Sequence, residues 1–244
     1  MNAYVAEWIG TALVVLLGDG VVANVLLNKS KGQNSGWIVI ATGWGVAVTL
    51  AVYCVWTISS AHLNPAVTIG LAAIGKFPLE NVPGYIAAQM LGGITGAVVV
   101  WLVYLPHWRI TEDPGVKLGV FCTTPGVRSP AANLITEIIA TFVFVVVIQA
   151  ALGPNNFKEA PGFNTVLGPV VVGLAVFSIG VSLGGPTGYA INPARDLGPR
   201  LAHALLPIPG KGSSDWGYAW IPVVGPVLGG VLGAYFHSAF WPRT

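Results

Sequence analysis

The tripeptide Asn-Pro-Ala occurs twice in the chain, in the stretches HLNPAVT (residues 62–68) and NPARD (residues 192–196). Asparagine is a favoured N-cap, and proline is favoured at the first helical position, where its missing N–H costs nothing. Each motif opens a stretch, at about residues 65–75 and 193–203, that is shorter than the ~20 residues needed to cross a bilayer. The two motifs therefore predict two half-helices, or re-entrant segments, that begin inside a membrane.

The rest of the chain has the composition of a protein in lipid. Of its 244 residues, 54% are hydrophobic and only 8% are charged, whereas a soluble domain carries about 25% charged residues. The segments 106–132 and 154–164 contain Pro, Gly and polar residues, which predicts loops. We predict an all-α membrane protein with six transmembrane helices, at about residues 4–27, 36–57, 84–105, 133–153, 165–183 and 217–240.

The two halves of the chain match each other in sequence. Four short stretches recur in the same order, at offsets of 130, 128, 128 and 137 residues. We interpret residues 1–244 as one domain, made of a first repeat (1–105), a connecting loop (106–132) and a second repeat (133–244). Since each repeat holds three spans, an odd number, the second repeat is inverted relative to the first. The matched stretches begin at Glu7 and Glu137, Gly45 and Gly173, Asn64 and Asn192, and Leu91 and Leu228.

Inverted repeats bring the N-terminal ends of the two half-helices together near the membrane midplane. Their positive dipole ends and the N–H donors of Asn64 and Asn192 then favour neutral, oxygen-bearing solutes and repel protons and cations. The residues before each asparagine cannot be helical, and their carbonyl oxygens need donors at membrane depth. We expect these carbonyls to line an aqueous path at Ser60, Ala61, His62, Leu63, Gly188, Tyr189 and Ala190.

The paired motifs resemble the signature of the aquaporin superfamily. Asp196 directly after Arg195 is similar to its aquaglyceroporin branch, which includes the bacterial glycerol facilitators. The resemblance covers the whole chain and implies six spans with two half-helices, a homotetramer with one pore per subunit, and a constriction outside the paired motifs. It implies midplane motifs at Asn64, Pro65, Ala66, Asn192, Pro193 and Ala194, and a selectivity filter at Trp44, Gly180, Tyr189 and Arg195.

The four filter residues offer different chemistry. An arginine at membrane depth predicts a functional role, and its guanidinium can donate two parallel bonds to adjacent hydroxyls; an ion pair of Arg195 with Asp196 is the alternative. Trp44 is expected to contact the carbon backbone of a polyol, or else to pack in the core. Gly180 is expected to leave the pore wall open beside Trp44 and Tyr189. Tyr189 stands where most glycerol channels have Phe, so the resemblance does not determine the pore width or the preferred solute.

Three acidic residues are expected to support the structure. Buried carboxylates need partners, and we interpret Glu7 and Glu137 as acceptors for backbone N–H groups of the re-entrant loops, as the resemblance also implies. A proton relay between them, as in a coupled transporter, is the alternative. Asp196 is expected to be mainly structural. His62 is expected to form a hydrogen bond that shapes its loop, with a pH gate as the alternative.

These features predict a passive channel for glycerol and other small neutral solutes, which excludes protons and ions. Water, urea, dihydroxyacetone and small neutral acids are further candidate solutes. A water-selective aquaporin and a proton- or sodium-coupled transporter are the alternatives. The spans carry no nucleophile–base pair, so we do not expect an enzyme. Cys54 and Cys122 are isolated and no His cluster is present, so we expect no metal or cofactor. Without a basic run, nucleic acid is not an expected partner.

The distribution of basic residues conflicts with the orientation that the resemblance implies. It places the chain in the plasma membrane with both termini in the cytoplasm. The segments 28–35, 106–132 and 193–216 would then lie outside, with eight of the eleven Lys and Arg residues. Cytoplasmic loops usually hold the excess of these residues. We follow the family resemblance, because the charge rule is statistical and Arg195 belongs to the predicted pore.

Overall fold

The computed structural model describes residues 1–153 and 162–241. Within these residues the regular structure is helical, with no strand. Six helices are long and apolar enough to cross a membrane, which confirms the six predicted spans. They are α1 (Ala3–Leu26), α2 (Trp37–Ser59), α4 (Val82–Val103), α7 (Pro130–Ala151), α8 (Phe163–Ser182) and α10 (Ile221–Phe240).

The two Asn-Pro-Ala motifs begin the half-helices α3 (Pro65–Ala73) and α9 (Pro193–Leu205). The Asn64 Oδ1 accepts a hydrogen bond of 2.8 Å from the Ala66 N–H. The Asn192 Oδ1 accepts from the N–H groups of Ala194 at 3.0 Å and Arg195 at 3.3 Å. Each asparagine therefore caps its helix, while proline takes the first position, where no N–H is needed.

The segment 106–132 is not the plain loop that the sequence predicts. It contains the helix α6 (Pro114–Phe121) and most of α5 (Leu105–Ile110). In both helices proline lies in the first turn, where it initiates a helix instead of breaking one. The Asp113 carboxylate also caps α6, since it accepts from the Gly115 N–H at 2.7 Å. Most of the other predicted loop, residues 154–161, lies outside the described residues.

The two repeats interlock through their half-helices. The half-helix α3 packs against α10, the last span of the other repeat, and α9 packs against α4 in the same way. A Cβ atom on Gly230 of α10 would lie 2.6 Å from the Ala66 carbonyl oxygen, and one on Gly93 of α4 would lie 2.4 Å from the Ala194 carbonyl oxygen. Small residues allow this backbone approach, so paired glycines seat both half-helices on opposite sides of the midplane.

The long helices carry large apolar side chains on the outside of the chain. Leu17, Val46, Leu174 and Leu232 lie on four different spans, and each is at least 40% exposed. A water-soluble surface seldom presents so many large apolar groups, whereas lipid solvates them. The chain is therefore a multi-pass membrane protein.

A candidate pore and its constriction

Two cavities meet inside the helical bundle. One of them, here called the main cavity, extends past the midplane and includes His62, Asn64 and Asn192 in its lining. The other, here called the vestibule, includes Trp37 and Thr123 in its lining. The same three side chains line both cavities, so the path between the cavities passes them. These side chains are Trp44, Tyr189 and Arg195, three of the four predicted filter residues.

The two capping asparagines also connect the repeats at the midplane. The Asn64 Nδ2 donates to the Ile191 carbonyl oxygen at 2.8 Å, and the Asn192 Nδ2 donates to the Leu63 carbonyl oxygen at 2.8 Å. A side-chain amide has two N–H donors. Each asparagine therefore keeps one N–H beyond these bonds, while its side chain lines the main cavity. The Leu63 carbonyl, expected to face solute, is already one partner in this crossed pair.

The segments that precede the half-helices have an unusual backbone. Ala61 and Leu63 have positive φ angles of 49° and 50°, and Tyr189 and Ile191 have φ angles of 41° and 46°. Residues other than glycine seldom adopt this region, at a cost of roughly 1–3 kcal/mol each. The surrounding structure must stabilise these two segments, which are not helical, as the sequence predicts. Ser60 lies at the exposed end of the first segment, and Gly188 lines the vestibule.

Glu7 and Glu137 supply that stabilisation. The Glu7 carboxylate accepts from the backbone N–H groups of His62 at 3.0 Å and Leu63 at 2.7 Å. The Glu137 carboxylate accepts from the N–H groups of Ala190 at 3.0 Å and Ile191 at 3.0 Å. Both side chains are buried, and neither lines a cavity described above. The geometry fits the interpretation as structural acceptors and offers a proton relay no access to the pore.

Arg195 lies at the junction of the two cavities, stacked on an aromatic ring. Its Cζ atom is 4.0 Å from the centroid of the Trp44 ring, close enough for a cation–π interaction. Its Nη1 is 3.5 Å from the Oδ1 of Asp19 in α1. Arginine has five N–H donors, and Asp19 is its side-chain acceptor among the described residues. The remaining donors are free to bind a solute in the constriction.

From the sequence, Gly180 is expected to leave the pore wall open beside Trp44 and Tyr189. In the structure it does not. It lies on α8 behind Tyr189, and a Cβ atom there would be 2.9 Å from the Tyr189 Cζ and 3.1 Å from its Oη. The Trp37 ring packs edge-on against the Tyr189 ring, at 5.7 Å between centroids. The space that the missing side chain creates is therefore filled by the Tyr189 ring. Gly180 itself is absent from the linings of both cavities, whereas Tyr189 lines both.

Asp196 does not pair with Arg195, the alternative that the sequence left open. Its Oδ1 accepts from the Arg200 Nε at 2.9 Å, and its Oδ2 accepts from the Thr123 N–H at 2.7 Å and the Thr123 Oγ1 at 2.6 Å. Arg200 also donates to the carbonyl oxygens of Thr123 and Ser214. These bonds fix the segment after α6 against α9, beside the vestibule, which fits a structural role for Asp196.

Sequence reasoning missed two buried polar residues of this region. Asp19 is fully buried in α1, and an ionisable group inside an apolar span was a signal in itself. Gln89 of α4 donates to the Glu7 Oε2 at 2.8 Å and to the Thr68 Oγ1 at 3.0 Å. Glutamine within a span gives a weaker signal. Thr68 is also 3.1 Å from the Nδ1 of His62, so His62 takes part in the bonds that shape its loop.

The described residues offer no metal site. No group of three or more His, Cys, Asp and Glu side chains is placed there to hold an ion. Cys54 is exposed and Cys122 is buried, and both are free thiols.

Comparison with known proteins gives one consistent result. The model of the major intrinsic protein family matches residues 1–237. A probable glycerol uptake facilitator protein of Thermotoga maritima is 61% identical, over 98% of this chain and 99% of the relative. The glycerol uptake facilitator protein of Bacillus subtilis is 57% identical, over 98% of this chain and 85% of the relative. The X-ray structure of the aquaglyceroporin from Plasmodium falciparum is 31% identical and superposes with a TM-score of 0.87, covering 98% and 95% of the two chains.

Proposed function

Because the chain belongs to the major intrinsic protein family, we propose that it is a passive membrane channel for glycerol and similar small neutral solutes. The observation that carries the proposal is the junction of the two cavities, where two aromatic rings and one guanidinium line the path. The names of the relatives, which are glycerol uptake facilitators at 50–61% identity, support the same solute. The family consists of channels and not of enzymes.

The constriction suits a molecule with one apolar and one polar side. Glycerol has a short carbon backbone and three hydroxyl groups. In our proposal its carbon atoms pack against the rings of Trp44 and Tyr189, while adjacent hydroxyls accept hydrogen bonds from the Arg195 N–H groups that Asp19 does not use. The planar guanidinium presents its donors in pairs, which matches adjacent oxygens. A narrow aromatic corner with one donor group favours a thin polyol over bulkier solutes.

The midplane excludes ions and protons in this proposal. The N-terminal ends of α3 and α9 carry partial positive charge, which disfavours cations. The second N–H of Asn64 and of Asn192 donates to the oxygen of each passing water or glycerol. An oxygen that accepts from both sides is less able to pass a proton along a chain of waters. The carbonyl oxygens of residues 60–63 and 188–190 would accept from the solute on either side of the midplane.

Two features support passive conduction over coupled transport. Both oxygens of each buried glutamate are occupied by donors of the scaffold. A proton-coupled carrier needs a carboxylate that exchanges protons with the solute path, and the two described cavities have none in their linings.

We further propose a homotetramer in the plasma membrane with both termini in the cytoplasm; six spans place the termini on the same side.

The test is solute flux into liposomes that contain the purified protein. We expect stopped-flow light scattering to show fast glycerol and water entry, far above that of empty liposomes. Entry should not depend on an uncoupler, and internal glycerol should not exceed the external concentration. Lactic acid belongs in the solute panel, since a D/L-lactic acid transporter of Lactiplantibacillus plantarum is 37% identical over 99% of this chain.

Two results would contradict the proposal in different ways. Fast water entry with glycerol entry at the level of empty liposomes would indicate a water-selective channel. Accumulation of glycerol against its gradient that an uncoupler abolishes would indicate a coupled transporter.

A further inference from the structure

Asp19 is a carboxylate at an unexpected place, inside the apolar helix α1. Its side chain is 0% exposed, and its Oδ1 lies 3.5 Å from the Arg195 Nη1. Its Oδ2 is buried and has no hydrogen-bond partner among the described residues. A buried carboxylate with one oxygen left without a hydrogen bond is costly. The arrangement therefore has to be explained by what Asp19 does for Arg195.

The residue before Asp19 positions the other side of the constriction. A Cβ atom on Gly18 would lie 2.2 Å from the Trp44 Cζ3, so the Trp44 ring packs directly on the backbone of α1. The same ring lies 4.0 Å from the Arg195 Cζ. Two consecutive residues of α1 thus support two filter residues: Gly18 accommodates the Trp44 ring, and Asp19 contacts the guanidinium that stacks on that ring.

Asp19 is also the counter-charge of the filter. Arginine stays protonated in proteins, so Arg195 brings a permanent positive charge to the junction of the two cavities. Asp196, the next residue along the chain, is occupied by Arg200 and Thr123. Asp19 is therefore the carboxylate paired with Arg195, and it lies outside the linings of both cavities. A solute meets the guanidinium, with the compensating charge behind it.

We propose that Asp19 is a positioning residue of the selectivity filter with two effects, both exerted through Arg195. It holds the guanidinium on the Trp44 ring, so that the unused donors face the solute. It also offsets the positive charge, so that the constriction does not attract small carboxylate anions in place of neutral polyols. The inference rests on the proposed function, because it assigns the selectivity of that same pore.

The test is Asp19→Asn, which keeps the size and an acceptor oxygen and removes the charge. Glycerol flux is measured at neutral pH against increasing sodium lactate, which is then almost entirely anionic. We expect lactate to inhibit Asp19→Asn at a roughly tenfold lower concentration than the parent, because loss of a unit charge a few ångströms away has an effect of at least this size. The control is Glu112→Gln, which removes an exposed carboxylate and should leave lactate sensitivity unchanged. Equal lactate sensitivity of a folded Asp19→Asn channel and the parent overturns the proposal.

A double-mutant cycle separates positioning from mere structural support. If Asp19 acts through Arg195, Asp19→Asn changes lactate sensitivity in the parent and not in an Arg195→Val background. Arg195→Val leaves the Asp19 carboxylate buried and unpaired, so the melting temperature of this variant should be lower than that of the parent. The melting temperature should recover in the double variant Asp19→Asn/Arg195→Val, which has no unpaired charge. Additive losses of stability in the double variant overturn the pairing. The thermal measurement needs no transport, so it tests the pairing even if the parent fails to conduct glycerol.

Discussion

The two sides of the midplane share a scaffold and differ in chemistry. The offset of 128 residues that relates the two Asn-Pro-Ala motifs also relates each filter position to a position across the midplane. Where the filter has Arg195, Tyr189, Gly180 and Trp44, the opposite side has Val67, Ala61, Val52 and Val172. The opposite set holds neither charge nor aromatic ring. We therefore expect selectivity to depend on the layer that contains Arg195, and the layer across the midplane shows the same scaffold without these side chains.

The scaffold itself is nearly the same on both sides. Each half-helix is capped by its asparagine, seated on a glycine of the opposite repeat, and preceded by a loop held by a buried glutamate. The exchange of hydrogen bonds between Asn64 and Asn192 is symmetrical, with both distances at 2.8 Å. Substitutions at two repeat-related scaffold positions should therefore have effects of similar size. A substitution in the filter should have a larger effect than the substitution at the related position across the midplane.

The largest expected effect concerns the glycines that seat the half-helices. Gly93→Leu and Gly230→Leu would each place side-chain atoms where a backbone carbonyl oxygen now lies within 2.4–2.6 Å of a Cβ position. Overpacking of this kind forces backbone shifts, and we expect neither variant to yield folded channel by size-exclusion chromatography. Gly20→Leu is the control, because a Cβ atom on Gly20 meets nothing within 4 Å. Recovery of one variant and not the other would show that the two seats are not equivalent.

The next effect concerns the glutamates of the two loops. In Glu7→Gln or Glu137→Gln, the hydroxyl of Ser59 or Thr187 can turn to accept from the new amide. One backbone N–H then still faces an NH₂ group in place of an oxygen. An unsatisfied buried donor costs about 1–3 kcal/mol, so both variants should lose similar thermal stability in detergent and conduct glycerol once folded.

The control for this pair is Glu80→Gln, at an exposed position, which should melt like the parent. A normal melting temperature combined with loss of a pH-gradient-driven component of uptake would argue for the proton relay and against the structural role.

The sequence predicted the scaffold because the signals for it are local and repeated. A run of apolar residues has a fixed length in a bilayer, and Asn-Pro is a helix start wherever it occurs. The prediction for the segment 106–132 was wrong because proline was interpreted there as a sign of a loop. Pro106 and Pro114 instead lie in the first turns of two short helices. The start of α10 at Ile221, four residues later than expected, has a related cause: apolar residues 217–220 form turns before the helix.

The side chains at the junction of the two cavities could be predicted, whereas their contacts could not. The family resemblance implied Trp44, Tyr189 and Arg195, and these three side chains line both cavities. The acceptor of Arg195 could not be chosen from spacing, because Asp19 lies 176 residues away in sequence while Asp196 is adjacent. The space beside Gly180 depended on the direction of the Tyr189 ring, which follows from a backbone with positive φ at Tyr189. Such long-range side-chain geometry leaves no trace in a single sequence.

A smaller effect, confined to the filter, is expected for Gly180→Ala. The new methyl group would lie 2.9 Å from the Tyr189 Cζ and 3.2 Å from the Ala41 Cβ, so the ring has to move, and the pore is the open side. We expect glycerol flux to fall by about threefold to tenfold, as roughly 1 kcal/mol of strain would produce, and water flux to fall less. Gly185→Ala is the control, since a Cβ atom there meets nothing within 4 Å. An unchanged ratio of glycerol to water flux would mean that the ring moves away from the pore.

The smallest effect is expected for Tyr189→Phe, which tests whether the hydroxyl has any part in the filter. The Tyr189 Oη is buried and has no hydrogen-bond partner among the described residues. Removing a buried polar group that makes no bond should leave stability unchanged or raise it by up to about 1 kcal/mol. The ring keeps its place between Trp37, Gly180 and Gly184. The ratio of glycerol to water flux should therefore change by less than about twofold, a shift of under ~0.5 kcal/mol in relative barrier height. The double variant Gly180→Ala/Tyr189→Phe sharpens the test. In it the contact of 3.1 Å between the Cβ atom at position 180 and the Oη disappears, while the contact of 2.9 Å to the Cζ remains. Glycerol flux should therefore recover only in part relative to Gly180→Ala. A large loss of glycerol flux in Tyr189→Phe alone would instead make the hydroxyl a solute ligand, and the filter would then have a polar group on both of its walls.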